Sequence, residues 1–216
     1  MSALRHVFWD WNGTLLDDAW LCRDVMNGLL RARAMPELSE ERYMAIFDFP
    51  VRGYYERIGF DFAKDPFEIV GMEFIRNYET RRGEPRLHAD AVPALESVRG
   101  LGLGQSILSA YQHETLVSLV AQHGLSDFFH DLHGHADHYA EGKIPQGRQA
   151  LADLGIDPAQ TLLVGDTTHD AEVAAALGMG CLLIPAGNQP PERLRAMGCP
   201  VLANRAEAVA WIRGRG

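Results

Sequence analysis

Arg5-His6-Val7-Phe8-Trp9-Asp10-Trp11-Asn12-Gly13-Thr14-Leu15-Leu16-Asp17-Asp18 opens with an apolar run of strand length and breaks off at a carboxylate, a glycine and a threonine. A short apolar run without alternation is the pattern of a strand buried on both faces, as in a parallel sheet. Such a strand delivers Asp10 to the C-terminal edge of the sheet, where ligands bind in open α/β folds. Asp10 is therefore the first candidate for a reacting group. Asn12, two residues on, is the residue to be explained.

Downstream of this stretch the periodicity is helical. Asp17 or Asp18 is placed to cap a helix through Trp20, Leu21, Val25, Met26, Leu29 and Leu30 that must end before Pro36. Ser39 is placed to cap the next, and Pro50 begins a further turn closed by Gly59. Asp65-Pro66-Phe67-Glu68 reads as a helix start with Asp65 as N-cap, leading into Ile69 to Tyr78. Beyond about residue 90, strands and helices alternate. The segments 103–108, 161–164 and 181–184 read as strands, and 92–98, 114–123, 144–154, 171–177, 191–197 and 206–212 as helices. The alternation predicts an α/β fold, a doubly wound, Rossmann-like parallel sheet formed by residues 1–16 and 85–216. Residues 17–84 are then an inserted α-helical cap over the catalytic edge.

Composition excludes several classes. The chain has 216 residues, 47% apolar and 23% charged, with a net charge of -9. An acidic chain is a poor fit to nucleic acid, whose binding rests on phosphate neutralisation by a basic surface. No stretch is long and apolar enough to span a bilayer, and the first strand begins too early for a signal peptide to precede it, so the expected compartment is cytoplasmic. Cys22, Cys181 and Cys199 have neither CxxC nor zinc-like spacing and are expected to be reduced packing residues. The sequence is silent on oligomeric state.

Two of the strands end in aspartate, at Asp10 and at Gly165-Asp166-Thr167-Thr168-His169-Asp170. If they are neighbours, three carboxylates share a small volume and repel unless a cation intervenes. A hard divalent ion answers that need, and magnesium suits a site that phosphate completes.

These segments resemble the haloacid dehalogenase-like hydrolases. The opening stretch is similar to that family's first motif, with Asp10 at the nucleophile position and Thr14 at its threonine. Ser109, at the end of a strand, matches the second motif, which binds the transferred phosphoryl group. Lys143 in Glu141-Gly142-Lys143-Ile144-Pro145 matches the third motif's lysine, and residues 165–170 the acidic fourth. All four occur in order over residues 10–170.

The resemblance implies a phosphoglycolate phosphatase-like hydrolase of a small phosphorylated metabolite, acting through an aspartyl-phosphate on Asp10. Magnesium would be held by Asp10, the backbone carbonyl of Asn12, Asp166 and Asp170. Ser109, Lys143 and the backbone amides at Trp11 and Ala110 would bind the phosphate. The departure from the family pattern is Asn12, where phosphatases of the family carry an aspartate that protonates the leaving alcohol and then activates water. An amide does neither, and losing a positioned acid or base typically costs about 10²–10⁴ in rate. Three readings follow: a leaving group acidic enough to depart unaided, a substitute acid from the cap or a histidine, or a catalytically weak phospholigand-binding or regulatory protein. Phosphonate-hydrolysing relatives also lack the aspartate but use a cap lysine, for which Lys64 is the sole lysine in the insertion. Haloacid dehalogenation is disfavoured, because Asp166 and Asp170 suit a metal that this chemistry does not use.

Three further features are weighed against plain structural roles. Arg52, in the part of the cap that often carries substrate recognition in this family, is a candidate clamp for a second anionic group. Its alternative is a surface helix arginine. His130, His133, His135 and His138 read as a solvated polar loop, with His133 or His135 the candidate to replace the missing acid. Trp9 is expected in the core and Trp11 either at the pocket or over the strand end, with Asp17 and Asp18 as helix caps rather than catalysts.

Overall fold

The computed structural model describes residues 3–136 and 142–215. After β1 (His6–Trp9) and the two-residue β2 (Leu16–Asp17) the chain enters α1 (Ala19–Ala32), α2 (Glu40–Ile46), α3 (Val51–Ile58) and α4 (Phe67–Arg81). It returns through β3 (Arg86–Leu87), then continues as α5 (Ala91–Gly100), β4 (Gly104–Gln112), α6 (His113–Gln122), β5 (Asp131–His135) and α7 (Ile144–Leu154). The last part comprises β6 (Thr161–Gly165), α8 (Thr168–Leu177), β7 (Gly180–Leu183), α9 (Pro191–Arg195) and α10 (Arg205–Arg213).

Five strands form one parallel sheet in the order β5-β4-β1-β6-β7, with β1 at its centre. This is the doubly wound α/β architecture expected, and its two buried faces follow from the strand period of two. Val7 and Trp9 point with Ile107, Leu162 and Val164 into the layer of α5, α6 and α10, where Leu95, Leu116 and Ile212 meet them. Phe8 points the other way with Leu108 and Leu163, against Ala150 of α7 and Val173 and Leu177 of α8. Because both neighbours of β1 are strands, the residue after it cannot be carried to the rim, and Asp10 emerges mid-sheet beside the end of β6.

The helices α1 to α4 form an inserted helical cap with an apolar cluster of its own, including Leu21, Met26, Leu30, Tyr43, Tyr54 and Tyr78. The entry and exit of this insertion are stapled together, since β2 pairs antiparallel with β3 through Leu16 with Leu87 and Asp17 with Arg86. Ser39 caps α2 by accepting from the Arg42 backbone N–H at 3.1 Å, and Gly59 closes α3 in the left-handed conformation, both as their sequence positions predict. Among the described residues, no helix is long and apolar enough to cross a membrane.

Two local expectations fail. Residues 131–135 lie in the segment read as a polar loop, yet they form the edge strand β5, pairing with β4 through Ser106, Ile107 and Leu108. An edge strand satisfies its backbone on one side only and needs no continuous apolar face, so its histidine-rich sequence conceals it. Asp65 does not cap α4, whose N-cap is Pro66; its carboxylate instead faces Arg33 at 3.4 Å.

Candidate active site

The Asp10 backbone N–H is tied to the Val164 carbonyl at 2.9 Å, which extends the β1–β6 pairing and brings Asp10 beside the end of β6. Asp166 follows the last residue of β6. Asp170 sits in the first turn of α8, in a capping box in which its side chain accepts from the Thr167 backbone N–H at 3.0 Å. Oxygen atoms of Asp10, Asp166 and Asp170 lie within 4.8 Å of one another, and all three residues are buried. Lys143, at the N-cap of α7, places Nζ 2.5 Å from Asp10 Oδ1 and 2.6 Å from Asp170 Oδ1.

The electrostatics of this cluster are unbalanced. Burial raises the Asp10 carboxyl to about 7 despite the opposing pull of Lys143, and burial with the two neighbouring carboxylates pushes Asp166 well above the usual range. Asp170 resists the same burial because Lys143 and Thr167 favour its ionised form, and its pKa falls. Burial works against the Lys143 ammonium, but contact with Asp10 and Asp170 outweighs it and the pKa rises. One lysine against three desolvated carboxylates leaves an excess of negative charge carried by hard oxygens, a donor set that fits a divalent cation such as magnesium. Thr14 Oγ1, 3.4 Å from both Asp10 Oδ2 and Asp166 Oδ1, spans the two carboxylates.

Gly13 has no room to be anything else. Its φ is +75°, and a Cβ there would stand 2.3 Å from Asp166 Oδ2 and 2.4 Å from Asn188 Nδ2. The loop through Gly13 is held from behind by buried Arg205, whose guanidinium donates to the carbonyls of Gly13 and Thr14 and pairs with Asp90 at 3.0 Å.

A cavity of about 230 Å³ opens on Asp10, Asn12, Ser109, Ala110, Lys143 and Asp166 and runs up into the cap. Ser109 stands on β4, next to β1, and accepts the Tyr111 backbone N–H at 3.1 Å. The Trp11 backbone N–H favours the ionised form of the Asp10 carboxyl, and the Trp11 indole is buried in the core near His123. Of the alternatives for Trp11, covering the strand end is the one realised.

The cap side corrects the reading of Asp18. It occupies the N-cap position of α1 but makes no side-chain cap bond there. Its carboxylate is fully buried and accepts from Asn12 Nδ2 at 2.8 Å, from the Gly13 backbone N–H at 2.7 Å and from the Tyr78 hydroxyl at 2.7 Å. Asn12 Nδ2 also donates to the Tyr78 oxygen at 3.1 Å. Burial raises the Asp18 carboxyl, partly offset by these bonds. The cap is further joined to the acidic cluster by Asn188, which donates to Asp166 Oδ2 and accepts the Tyr43 hydroxyl, each at 2.8 Å. Asn188 escaped the sequence reading, although it follows a predicted strand at the functional edge of the sheet, and that position was the available signal.

Other candidates lie elsewhere. Arg52 is not among the residues lining the cavity; its half-exposed guanidinium stacks over Phe62 and Phe67 and faces Glu68 at 3.7 Å on the outer cap surface. Lys64 is exposed and paired with Asp61 at 2.8 Å, which raises its pKa, the opposite of what a Schiff-base lysine needs. No histidine lines the cavity among the described residues: His130 and His133 belong to the β5 edge, and His135 is bonded to Gln146. His138 and Glu141 lie outside the described residues. The three cysteines are free.

Residues 4–178 match the family described as haloacid dehalogenase-like hydrolase. The chain is 24% identical over 185 residues to a phosphoglycolate phosphatase of Rhodobacter capsulatus, covering 84% of each protein. It is 32% identical over 199 residues to a probable phosphatase IndB of Dickeya dadantii, covering 88% of this chain and 85% of that one. A solved haloacid dehalogenase-like protein of Streptococcus pneumoniae shares its fold with a TM-score of 0.84 at 19% identity, over 98% of this chain and 99% of that one. The chain belongs to the haloacid dehalogenase-like hydrolase family.

Proposed function

We propose that this haloacid dehalogenase-like hydrolase is a magnesium-dependent phosphatase of small phosphate monoesters that works through an aspartyl-phosphate on Asp10. The observation that carries the reading is one buried ammonium, Lys143, in contact with both Asp10 and Asp170 at the floor of a cavity, beside a three-carboxylate cluster that a single lysine cannot balance. The relatives named as phosphatases support it. Asp10, the backbone carbonyl of Asn12, Asp166 and Asp170 would hold the ion, whose chemistry is to neutralise phosphoryl oxygens and to keep Asp10 ionised at neutral pH.

Asp10 attacks phosphorus in line, and the departing oxygen leaves toward the cap. Ser109, Lys143 and the backbone N–H groups of Trp11 and Ala110 bind the equatorial oxygens and stabilise the charge developing there. Asn12, whose amide nitrogen donates to Asp18 and Tyr78, offers the incoming water only its side-chain carbonyl oxygen and passes no proton to the leaving oxygen. The cap residues Tyr43 and Tyr78, bonded to Asn188 and Asp18, keep bulk water from the site.

The fixed Asn12 amide favours one second reading, a phospholigand-binding protein with weak turnover. A panel of phosphate esters assayed with and without magnesium separates the two. Turnover that needs magnesium and disappears in Asp10→Asn supports the phosphatase, and no turnover of any ester by the wild type overturns it.

A further inference from the structure

We propose, resting on the phosphatase reading, that the substrate is a phosphate monoester of an uncharged aromatic hydroxyl compound, a phenol-class leaving group rather than a hydroxy acid. The cavity beyond the phosphoryl position is walled by rings, among them Phe47, Phe49, Tyr54, Phe74, Tyr78 and Tyr111. Its volume of about 230 Å³ is below the usual 300–1,000 Å³ of small-molecule pockets, which suits a phosphoryl group and one ring rather than a nucleotide.

Charge points the same way. Among the described lining residues the one cation is Lys143, and it is committed to Asp10 and Asp170. The charged side chains on the leaving-group side are carboxylates, Asp18 and Glu79; Arg82, which pairs with Glu79 at 2.6 Å, is not among the described lining residues. A carboxylate on the leaving group would be desolvated there against like charge and without a counter-ion. A neutral ring meets aromatic faces and edges instead. The Tyr54 ring lines the same wall, and its hydroxyl is buried, held protonated by that burial and without a hydrogen-bond partner among the described residues.

The missing acid is the independent observation. A phenol has a pKa of about 10, against about 15.7 for water and similar values for simple alcohols, so a phenolate departs with far less need of a proton. In the step itself an Asp10 oxygen forms a bond to phosphorus, the P–O bond to the ring oxygen breaks, and its electron pair leaves on that oxygen. The phenolate takes its proton from water after release. A second water then attacks phosphorus, the P–O bond to Asp10 breaks with its electron pair returning to the carboxylate, and the protons of that water leave with the inorganic phosphate. No step requires position 12 to donate a proton to the leaving group.

The test compares phenyl phosphate, benzyl phosphate, propyl phosphate and phosphoglycolate on the magnesium-supplied protein. Benzyl phosphate separates ring recognition from leaving-group acidity, because its alcohol is aliphatic. Expected are KM values for both ring esters about ten-fold or more below those for propyl phosphate and phosphoglycolate, with kcat highest for phenyl phosphate. Phe74→Ala should shrink the KM ratio of propyl to phenyl phosphate by about ten-fold. Calorimetry on Asp10→Asn with phenylphosphonate and phosphonoacetate gives a readout without turnover. Turnover with phosphoglycolate or propyl phosphate bound as well as the ring esters overturns the substrate class and leaves the phosphatase standing. No turnover, with phenylphosphonate bound about ten-fold more tightly than phosphonoacetate, overturns the phosphatase and keeps the ligand class. Equal or absent binding of the two phosphonates overturns the class.

Discussion

The Asn12 side-chain amide donates to the Asp18 carboxylate across 2.8 Å, and the Tyr78 hydroxyl reaches the same carboxylate oxygen at 2.7 Å. Asn12 is thus not idle. It is fixed by a buried acid six residues on, and that acid also takes the Gly13 backbone N–H at the turn beside the carboxylate cluster. Removing Asp18 as alanine strands three donors in a desolvated place. The expected loss is about 2–4 kcal/mol, or roughly 5–12 °C in Tm, with Tyr78→Phe costing about 1 kcal/mol. Thermal unfolding checks both, and a Tm for Asp18→Ala within 1–2 °C of wild type, roughly the noise of small surface changes, contradicts the network.

Asn12→Asp sets two carboxylates at hydrogen-bonding distance, so that the pair shares a proton and one pKa rises. A protonated carboxyl near neutral pH is a general acid, and it benefits a poor leaving group most. The variant should raise kcat for propyl phosphate by about ten-fold or more and change phenyl phosphate much less. Equal gains on the two esters would show that leaving-group protonation does not limit the wild type.

The acidic cluster links stability to pH and metal. With Asp10 raised to about 7 and Asp166 also raised, chiefly by burial, the folded protein holds protons that the unfolded chain, with carboxylates near 4, has released. Asp10 therefore contributes stability that is full below about pH 4 and is lost as pH climbs through about 7 in the absence of a cation, and Asp166 acts in the same direction. Magnesium competes with the protons for the same oxygens, so the Tm gain on adding it should be larger at pH 8 than at pH 6. The same gain at both pH values would place the ion elsewhere.

Lys143→Met keeps the length of the side chain and removes its charge. Asp10 and Asp170 then lose the ammonium that both contact, and breaking a buried pair in this way costs about 3–5 kcal/mol. Turnover should fall at least about 10²-fold, and added magnesium should recover part of the lost Tm. A variant as stable as wild type without magnesium would mean that the cluster is already neutralised by protons.

Gly13→Ala should fold poorly and lose magnesium affinity, because its Cβ would meet Asp166 Oδ2 and Asn188 Nδ2 within 2.4 Å in a backbone conformation with φ of +75°. Calorimetric titration of magnesium into the variant checks this, and unchanged affinity would separate Asp166 from the ion.

The alternation of apolar segments and helices was enough to specify the doubly wound sheet, because a strand buried on both faces has no polar positions to blur it. Asp10 and the segment Asp166–Asp170 were legible as the ends of buried strands, whereas Ser109 and Lys143 were picked out by the resemblance to family motifs. Ser109 was read as the end of its strand, but β4 runs on through it to Gln112. The sequence did not reveal the edge strand at 131–135, which needs no continuous apolar face, or Asn188, whose loop reaches Asp166 only through the packing of β7 beside β6. Arg52 and Asp18 exchanged expectations: the arginine faces outward over Phe62 and Phe67, and the supposed helix cap turned inward to Asn12 and Tyr78. Helical periodicity says that a residue lies on a face but not what that face meets. The aromatic wall and the missing counter-charge above Asp10 were therefore decided by how the cap closes on the sheet edge.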